Sequence, residues 1–144
     1  MRFRKLWIPA VLATLLLFTG LTGCGIGYLD ILSGTPETTI TPSMAYSLIE
    51  ENEGNPDFVI LDVRTPEEYA GEHIAGSILL DFYADEFQSE LGKLDKSKTF
   101  LLYCRSDNRS SKAVDIMLDL GFTDVYDIDG GINQWKAEGY PTVQ

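Results

Sequence analysis

The run Phe58-Val59-Ile60-Leu61-Asp62-Val63 constrains most what this chain can fold into. It is apolar at nearly every position, so a strand built from it has no face to give to water. It belongs in a parallel sheet buried on both sides, where crossover helices supply the cover. The rest of the sequence repeats that demand. Thr99 to Tyr103 and Asp124 to Ile128 read as further strands, and Ser77 to Leu80 as a shorter one. Between them lie helical patterns. Thr41-Pro42 is a helix start, an N-cap followed by proline, with Ala45, Leu48 and Ile49 at helical spacing behind it. Pro66 to Ala70 suggests a short helix, and Ala84 to Leu94 another with Phe87, Leu91 and Leu94 on one side. Ser110 to Leu120 carries Val114, Met117 and Leu118 as a core stripe and closes at Gly121, and Ile132 to Glu138 forms the last helix. Strands alternating with helices predict an α/β domain with a mostly parallel central sheet.

The N-terminus reads as an address. Arg2, Arg4 and Lys5 precede an apolar stretch from Leu6 to about Phe18, and small residues lead to Leu21-Thr22-Gly23-Cys24. This is the layout of a secretory signal, and Pro9 with the glycines beyond it weakens the competing reading of a transmembrane anchor. Leu21 to Cys24 resembles the lipobox of bacterial lipoproteins. That resemblance implies cleavage before Cys24, lipidation of its sulfur, and export to the outer face of the plasma membrane, or to an outer membrane where two membranes exist. Residues 1–23 are then the signal peptide, 24–38 the lipidated cysteine and its tether, and 39–144 the folded domain. Fully extended, the tether spans on the order of 50 Å, although Tyr28, Leu29, Ile31 and Leu32 offer apolar positions that can pack on the domain instead.

Charge limits the partners. The 144 residues hold 11 basic and 22 acidic side chains, and removing Arg2, Arg4 and Lys5 takes the net charge from −11 to −14. Such a surface argues against nucleic-acid binding and against a polybasic membrane contact, leaving the lipid as the only membrane anchor. With Cys24 assigned to lipid, Cys104 has no disulfide partner, and a lone thiol in an exported protein invites a chemical explanation.

The context of Cys104 supplies one. The apolar strand ending at Tyr103 delivers Cys104 into the short polar loop Arg105-Ser106-Asp107-Asn108-Arg109, which opens onto the helical pattern near Ser110. A cysteine there faces free backbone N–H groups and the positive end of a helix, with two arginines beside it, and these favour a thiolate. Asp107 and Asn108 tolerate left-handed backbone, which a loop curling around a sulfur needs. The competing reading is a small buried hydrophobe that ends a strand.

With Leu61-Asp62-Val63-Arg64-Thr65-Pro66-Glu67-Glu68-Tyr69, His73-Ile74-Ala75-Gly76-Ser77, the Cys104 loop, Gly130-Gly131-Ile132-Asn133-Gln134-Trp135 and Gly139-Tyr140-Pro141 in this order, the sequence resembles the rhodanese family of sulfurtransferases. The resemblance runs from about Thr39 to Thr142. It implies a three-layer fold with helices on both faces of the sheet and Cys104 as sulfur carrier. Cys104 would take a sulfur from a donor such as thiosulfate, or from another persulfide, and pass it to cyanide or a thiol, protein thiols included. The loop residues Arg105 to Arg109 would hold the anion, with no metal and no organic cofactor, in a chain acting as a monomer. The alternative is a low-turnover rhodanese-like module that presents Cys104 to a partner protein or senses oxidants.

Loop length bears on the competing chemistry. Cysteine-dependent phosphatases resemble this loop but place five residues between Cys and Arg, where four separate Cys104 from Arg109 here. Asp107 departs from the glycine usual in the family and brings a negative charge to the rim. Asp62 and Arg64, at the end of a buried strand, read either as an ion pair bracing the Cys104 loop or as a purely structural pair. Glu68 reads as a third such supporting residue or as part of a solvated helix face. His73 matches a family position that looks structural. Asp127-Ile128-Asp129-Gly130 resembles a calcium loop, but its spacing puts Val125 and Lys136 at the anchoring positions. Asn108-Arg109-Ser110 fits a glycosylation sequon inside the same loop.

Overall fold

The apolar strands form the centre of the sheet. A computed structural model describes residues 38–144, so the signal segment, Cys24 and the tether up to Glu37 lie outside the described residues. In chain order the elements are β1 (Thr39–Ile40), α1 (Pro42–Glu51), β2 (Phe58–Asp62), α2 (Pro66–Gly71), β3 (Ile78–Leu79), α3 (Phe87–Leu91), β4 (Thr99–Tyr103), α4 (Asn108–Asp119), β5 (Val125–Ile128) and α5 (Gly131–Ala137). The five strands make one sheet in the order β1-β5-β4-β2-β3, every pair parallel.

Alternation along the strands splits the core in two. Leu61 and Val63, Phe100 and Leu102, and Val125 face α3 and α4, packing with Phe87, Leu91, Ala113, Val114, Met117 and Phe122. Ile60, Leu101, Tyr103 and Ile128 face the other way, onto Ala45 of α1 and Ile132 and Trp135 of α5. The result is the three-layer α/β fold that the sequence predicts. Each large side chain so buried contributes about 1.5–3 kcal/mol.

β2 and β4 are neighbours, yet the chain leaves them in opposite directions, β2 toward β3 and β4 toward β5. Sites in open parallel sheets form at such a divergence, beyond the C-terminal strand ends. Asp62 and Cys104 sit at or just past those two ends. Register pairs Asp62 with Tyr103.

Some boundaries differ from the sequence reading. β1 has no counterpart there, because a two-residue strand leaves no periodicity to read. α3 is confined to Phe87–Leu91, flanked by turns such as Phe87 N–H to the Ala84 carbonyl and Leu94 N–H to the Leu91 carbonyl. α4 begins at Asn108 rather than near Ser110, so the second half of the Cys104 loop is already helical.

Candidate active site around Cys104

Strand alternation aims Cys104 toward the α4 face, where its side chain is buried at 1% exposure. The Ser110 hydroxyl, in the first turns of α4, donates toward Cys104 Sγ at 3.4 Å. The same hydroxyl oxygen lies 3.1 Å from the Asp107 carbonyl. Asp107 is the N-cap of α4 with φ 68°, the one non-glycine residue in left-handed backbone among the described residues. Its side chain makes no capping hydrogen bond. Asp107 adopts the turn that glycine would adopt freely, and it is half-buried. Arg105, Ser106 and Asn108 are exposed at the rim.

Arg109 turns to α2. Its Nη1 and Nη2 donate to Glu68 Oε2 and Oε1 at 2.7 and 2.9 Å, a bidentate pair. Glu68 is also the N3 residue of a capping box, accepting from the Thr65 N–H at 3.0 Å. One carboxylate thus starts α2 and fixes the end of the Cys104 loop. The Arg109 hydrogen bonds hold the Glu68 carboxyl down at about 2, against the opposing effect of burial. The other side of the guanidinium faces the Tyr83 ring, 5.5 Å from its centroid.

Asp62 and Arg64 point to the opposite face of the sheet. Arg64 Nη2 lies 2.6 Å from Asp62 Oδ2, both side chains almost fully buried, and donates also to the Glu72 carbonyl at 2.7 Å. Its guanidinium stands 5.4 Å from the Tyr103 ring centroid. Tyr103 Oη in turn accepts from the Ile74 N–H and bonds the Ser77 hydroxyl. The pair therefore bears on Tyr103, the residue before Cys104, and makes no hydrogen bond to residues 105–109. His73 stacks on Tyr69 with centroids 3.9 Å apart and pairs its backbone with Val143. Its ring is engaged locally, Nδ1 lying 3.0 Å from the Tyr69 carbonyl.

The comparisons with known proteins fall on this arrangement. A family model described as the rhodanese-like domain matches residues 42–138. The chain belongs to the rhodanese-like domain family. The thiosulfate sulfurtransferase GlpE of Coxiella burnetii is 38% identical over 86 residues, covering 60% of this chain and 78% of the relative. An uncharacterized Synechocystis protein is 29% identical over 120 residues, and the chain spans 61% of that relative's length. Among solved structures, a rhodanese-related protein from Thermoplasma volcanium superposes with a TM-score of 0.63 at 32% identity, covering 73% of this chain and 96% of that one.

Three residues of this rhodanese-like domain enter the site although the sequence reading gives them no role there. Gly131 packs its backbone against the loop. A Cβ there would lie 2.5 Å from the Cys104 carbonyl oxygen and 2.8 Å from the Arg105 carbonyl carbon. The N–H groups of Ile132 and Asn133 donate to the carbonyls of Cys104 and Arg105, tying the loop to the start of α5. The Gly130-Gly131 pair was the available signal, since adjacent glycines after a strand mark close backbone approach. Ser110 is the second. The third is Asp127, 2% exposed on β5 and paired in register with Leu102, hence on the α4 face. Burial pushes its carboxyl up to about 7; the Ser110 hydroxyl pulls the other way, and the charges of Asp107 and Asp129 add to the rise. A lone carboxylate between Tyr126 and Ile128 in an otherwise buried strand was its signal.

Beside the loop lies an open groove of about 500 Å³ that brings Arg64, Arg105 and Lys136 together with Glu67, Glu68 and Glu72. The described residues hold no cluster of side chains able to bind a metal ion, and no helix among them is long and apolar enough to cross a membrane.

Proposed function

We propose that this chain is an exported, lipid-anchored, single-domain sulfurtransferase that carries sulfur as a persulfide on Cys104. The observation behind this reading is the placement of Cys104: at the end of a central strand of a rhodanese-like domain, separated by four residues from a fixed Arg109, with the Ser110 hydroxyl donating to its sulfur. The Cys104 thiolate attacks the outer sulfur of thiosulfate or of another persulfide. The donor's sulfur–sulfur bond breaks, sulfite or the donor thiolate leaves with the electron pair, and Cys104 keeps the transferred sulfur. Cyanide or a thiol then attacks that outer sulfur and restores the thiolate. Two displacements replace one difficult transfer, and neither needs a metal or an organic cofactor. Donors on the loop stabilise the anionic sulfur in a site shielded from water. Lipidation at Cys24 holds the domain to the outer face of the membrane.

The burial of Cys104 at 1% exposure favours a second reading, a module of low turnover that opens its loop only to a partner protein. Mass spectrometry of Cys104 after thiosulfate treatment separates the two. A gain of one sulfur atom, removed by cyanide, supports the enzyme, and its absence with several donors leaves the module. The same spectra report whether residues 1–23 are missing and Cys24 carries lipid when the protein is extracted from membranes.

A further inference from the structure

The groove beside the Cys104 loop holds hydrogen-bonding capacity that the fold leaves unused. Arg64, its side chain 4% exposed, commits Nε and Nη2 to Asp62 and to the Glu72 carbonyl. Its Nη1 has no hydrogen-bond partner among the described residues. That nitrogen is not sealed off, and Arg64 lines the groove. An otherwise enclosed guanidinium that shows one nitrogen to a groove is a donor suited to a carboxylate. Two of the groove's own carboxylates are already matched, Glu68 by Arg109 and Glu72 by Lys136. Arg105 from the loop and Glu67 from α2 are exposed, and neither is in a salt bridge among the described residues. One open cation, one open anion and one spare guanidinium nitrogen match a small zwitterion, a carboxylate with an ammonium beside it. Such a ligand carries no net charge for an acidic protein to repel.

The groove also shares a wall with the sulfur site. Arg105 follows Cys104, their Cα atoms about 3.8 Å apart. Ile132 and Asn133 line the groove, and their N–H groups donate to the Cys104 and Arg105 carbonyls at 2.9 and 3.2 Å. Cys104 itself does not line it. We infer that the groove is the acceptor subsite and takes the α-amino-acid head of a small thiol, free cysteine being the simplest. Its carboxylate meets Arg64 Nη1 and Arg105, its ammonium meets Glu67, and its thiol arm passes Arg105 toward Cys104. The thiolate of the acceptor attacks the outer sulfur of the Cys104 persulfide. The sulfur–sulfur bond breaks, the Cys104 thiolate leaves with the electron pair, and cysteine persulfide departs. This rests on the sulfur-transfer reading of Cys104 and narrows its acceptor from any thiol to a zwitterionic one.

The test loads Cys104 of the full chain from thiosulfate, removes the donor, and follows loss of the added sulfur by mass spectrometry. Four thiols are compared at equal thiolate concentration: L-cysteine, cysteamine without the carboxylate, 3-mercaptopropionate without the ammonium, and 2-mercaptoethanol with neither. L-cysteine is expected to discharge the persulfide about tenfold faster than either singly charged analogue. L-serine, which has the same head and no thiol, should compete with L-cysteine. Glu67→Gln should lower the rate with L-cysteine about tenfold relative to that with 2-mercaptoethanol. Equal rates for the four thiols, or L-serine that does not compete, overturn the inference. If Cys104 never loads, the sulfur-transfer reading fails, and binding of L-serine still decides the head-group site. It should shift the amide resonances of Arg105 and Asn133 in the native protein and not in Glu67→Gln. Absence of those shifts, or their survival in Glu67→Gln, overturns the assignment of the groove.

Discussion

Gly131→Ala should damage the site from behind, at a residue that never meets substrate. Gly131 has φ +59°, and the added Cβ would lie 2.5 Å from the Cys104 oxygen, 2.8 Å from the Arg105 carbon and 2.9 Å from the Ser106 nitrogen. All three are backbone atoms, so no side chain can swing aside. Restoring ordinary contact at 3.4 Å moves the Cys104 carbonyl by about 0.9 Å and strains the 2.9 Å bond it accepts from the Ile132 N–H. The left-handed conformation costs an L-residue about 1–2 kcal/mol, and overpacking adds about 1–3 kcal/mol. The total of about 2–5 kcal/mol corresponds to a Tm lower by about 8–20 °C in a domain of this size. Gly121→Ala isolates the first contribution, because Gly121 also has positive φ (+90°) but a Cβ added there would meet no atom within 4 Å. Urea denaturation of both variants should show Gly131→Ala less stable than Gly121→Ala by about 1–3 kcal/mol. Sulfur loading of Cys104 should fall about a hundredfold in Gly131→Ala, as expected for a reacting group displaced by about 1 Å, and stay near native in Gly121→Ala. Equal stabilities with undiminished loading would refute the account of Gly131 as the rear wall of the loop.

Glu68→Gln tests the clamp on Arg109. The folded carboxyl sits at about 2 against 4.5 when free, so its stabilisation is complete above about pH 4.5 and is lost as pH falls through about 2. That difference bounds the contribution at about 3 kcal/mol, and with the Glu68 side chain 27% exposed about 1–2 kcal/mol is expected. Denaturation midpoints of Glu68→Gln and the native protein should therefore differ near pH 7 and converge near pH 2, and a gap constant across that range would remove the ion pair from the explanation. Asp107→Gly removes a negative charge from the rim and the strain of left-handed backbone at φ 68°. It should raise kcat/KM for thiosulfate at low ionic strength while changing stability by less than about 1 kcal/mol, and an unchanged or lower kcat/KM would mean that the charge does not reach the donor.

What the sequence discloses follows from whether a signal is local. β2 and β4 are legible because runs such as Phe58 to Val63 have nowhere to go but a doubly covered sheet. The starts of α1 and α2 are legible because Thr41-Pro42 and Thr65-Pro66 write their caps within a few residues. The Cys104 loop is legible for the same reason: cysteine, loop and helix start are contiguous. Glu68 shows the limit. Its spacing within α2 gives the capping box, but its partner Arg109 lies 41 residues away, and only the adjacency of β2 and β4 brings them together. Asp62 and Arg64 show it in another way. Two residues apart at a strand end, they are a readable pair, yet the face of the sheet they occupy is decided by register with Tyr103, which directs them away from the Cys104 sulfur.

The pairing of Arg109 changes where the loop's electrostatics come from. An arginine bound at both nitrogens to Glu68 holds geometry, and much of its charge is cancelled before an anion arrives. The exposed Arg105 remains at the rim, flanked in the neighbouring groove by three glutamates. A protein with 22 acidic and 11 basic residues offers an anionic donor little long-range attraction. If Cys104 carries sulfur as proposed, selectivity for an anionic donor must arise at short range, from donors whose reach is a single hydrogen bond. Among the described residues, the side-chain donor that touches Sγ is the Ser110 hydroxyl at the start of α4. A site that depends on one hydrogen is sensitive to whatever orients it, and the Asp107 carbonyl, 3.1 Å from the same hydroxyl, competes with the sulfur for it.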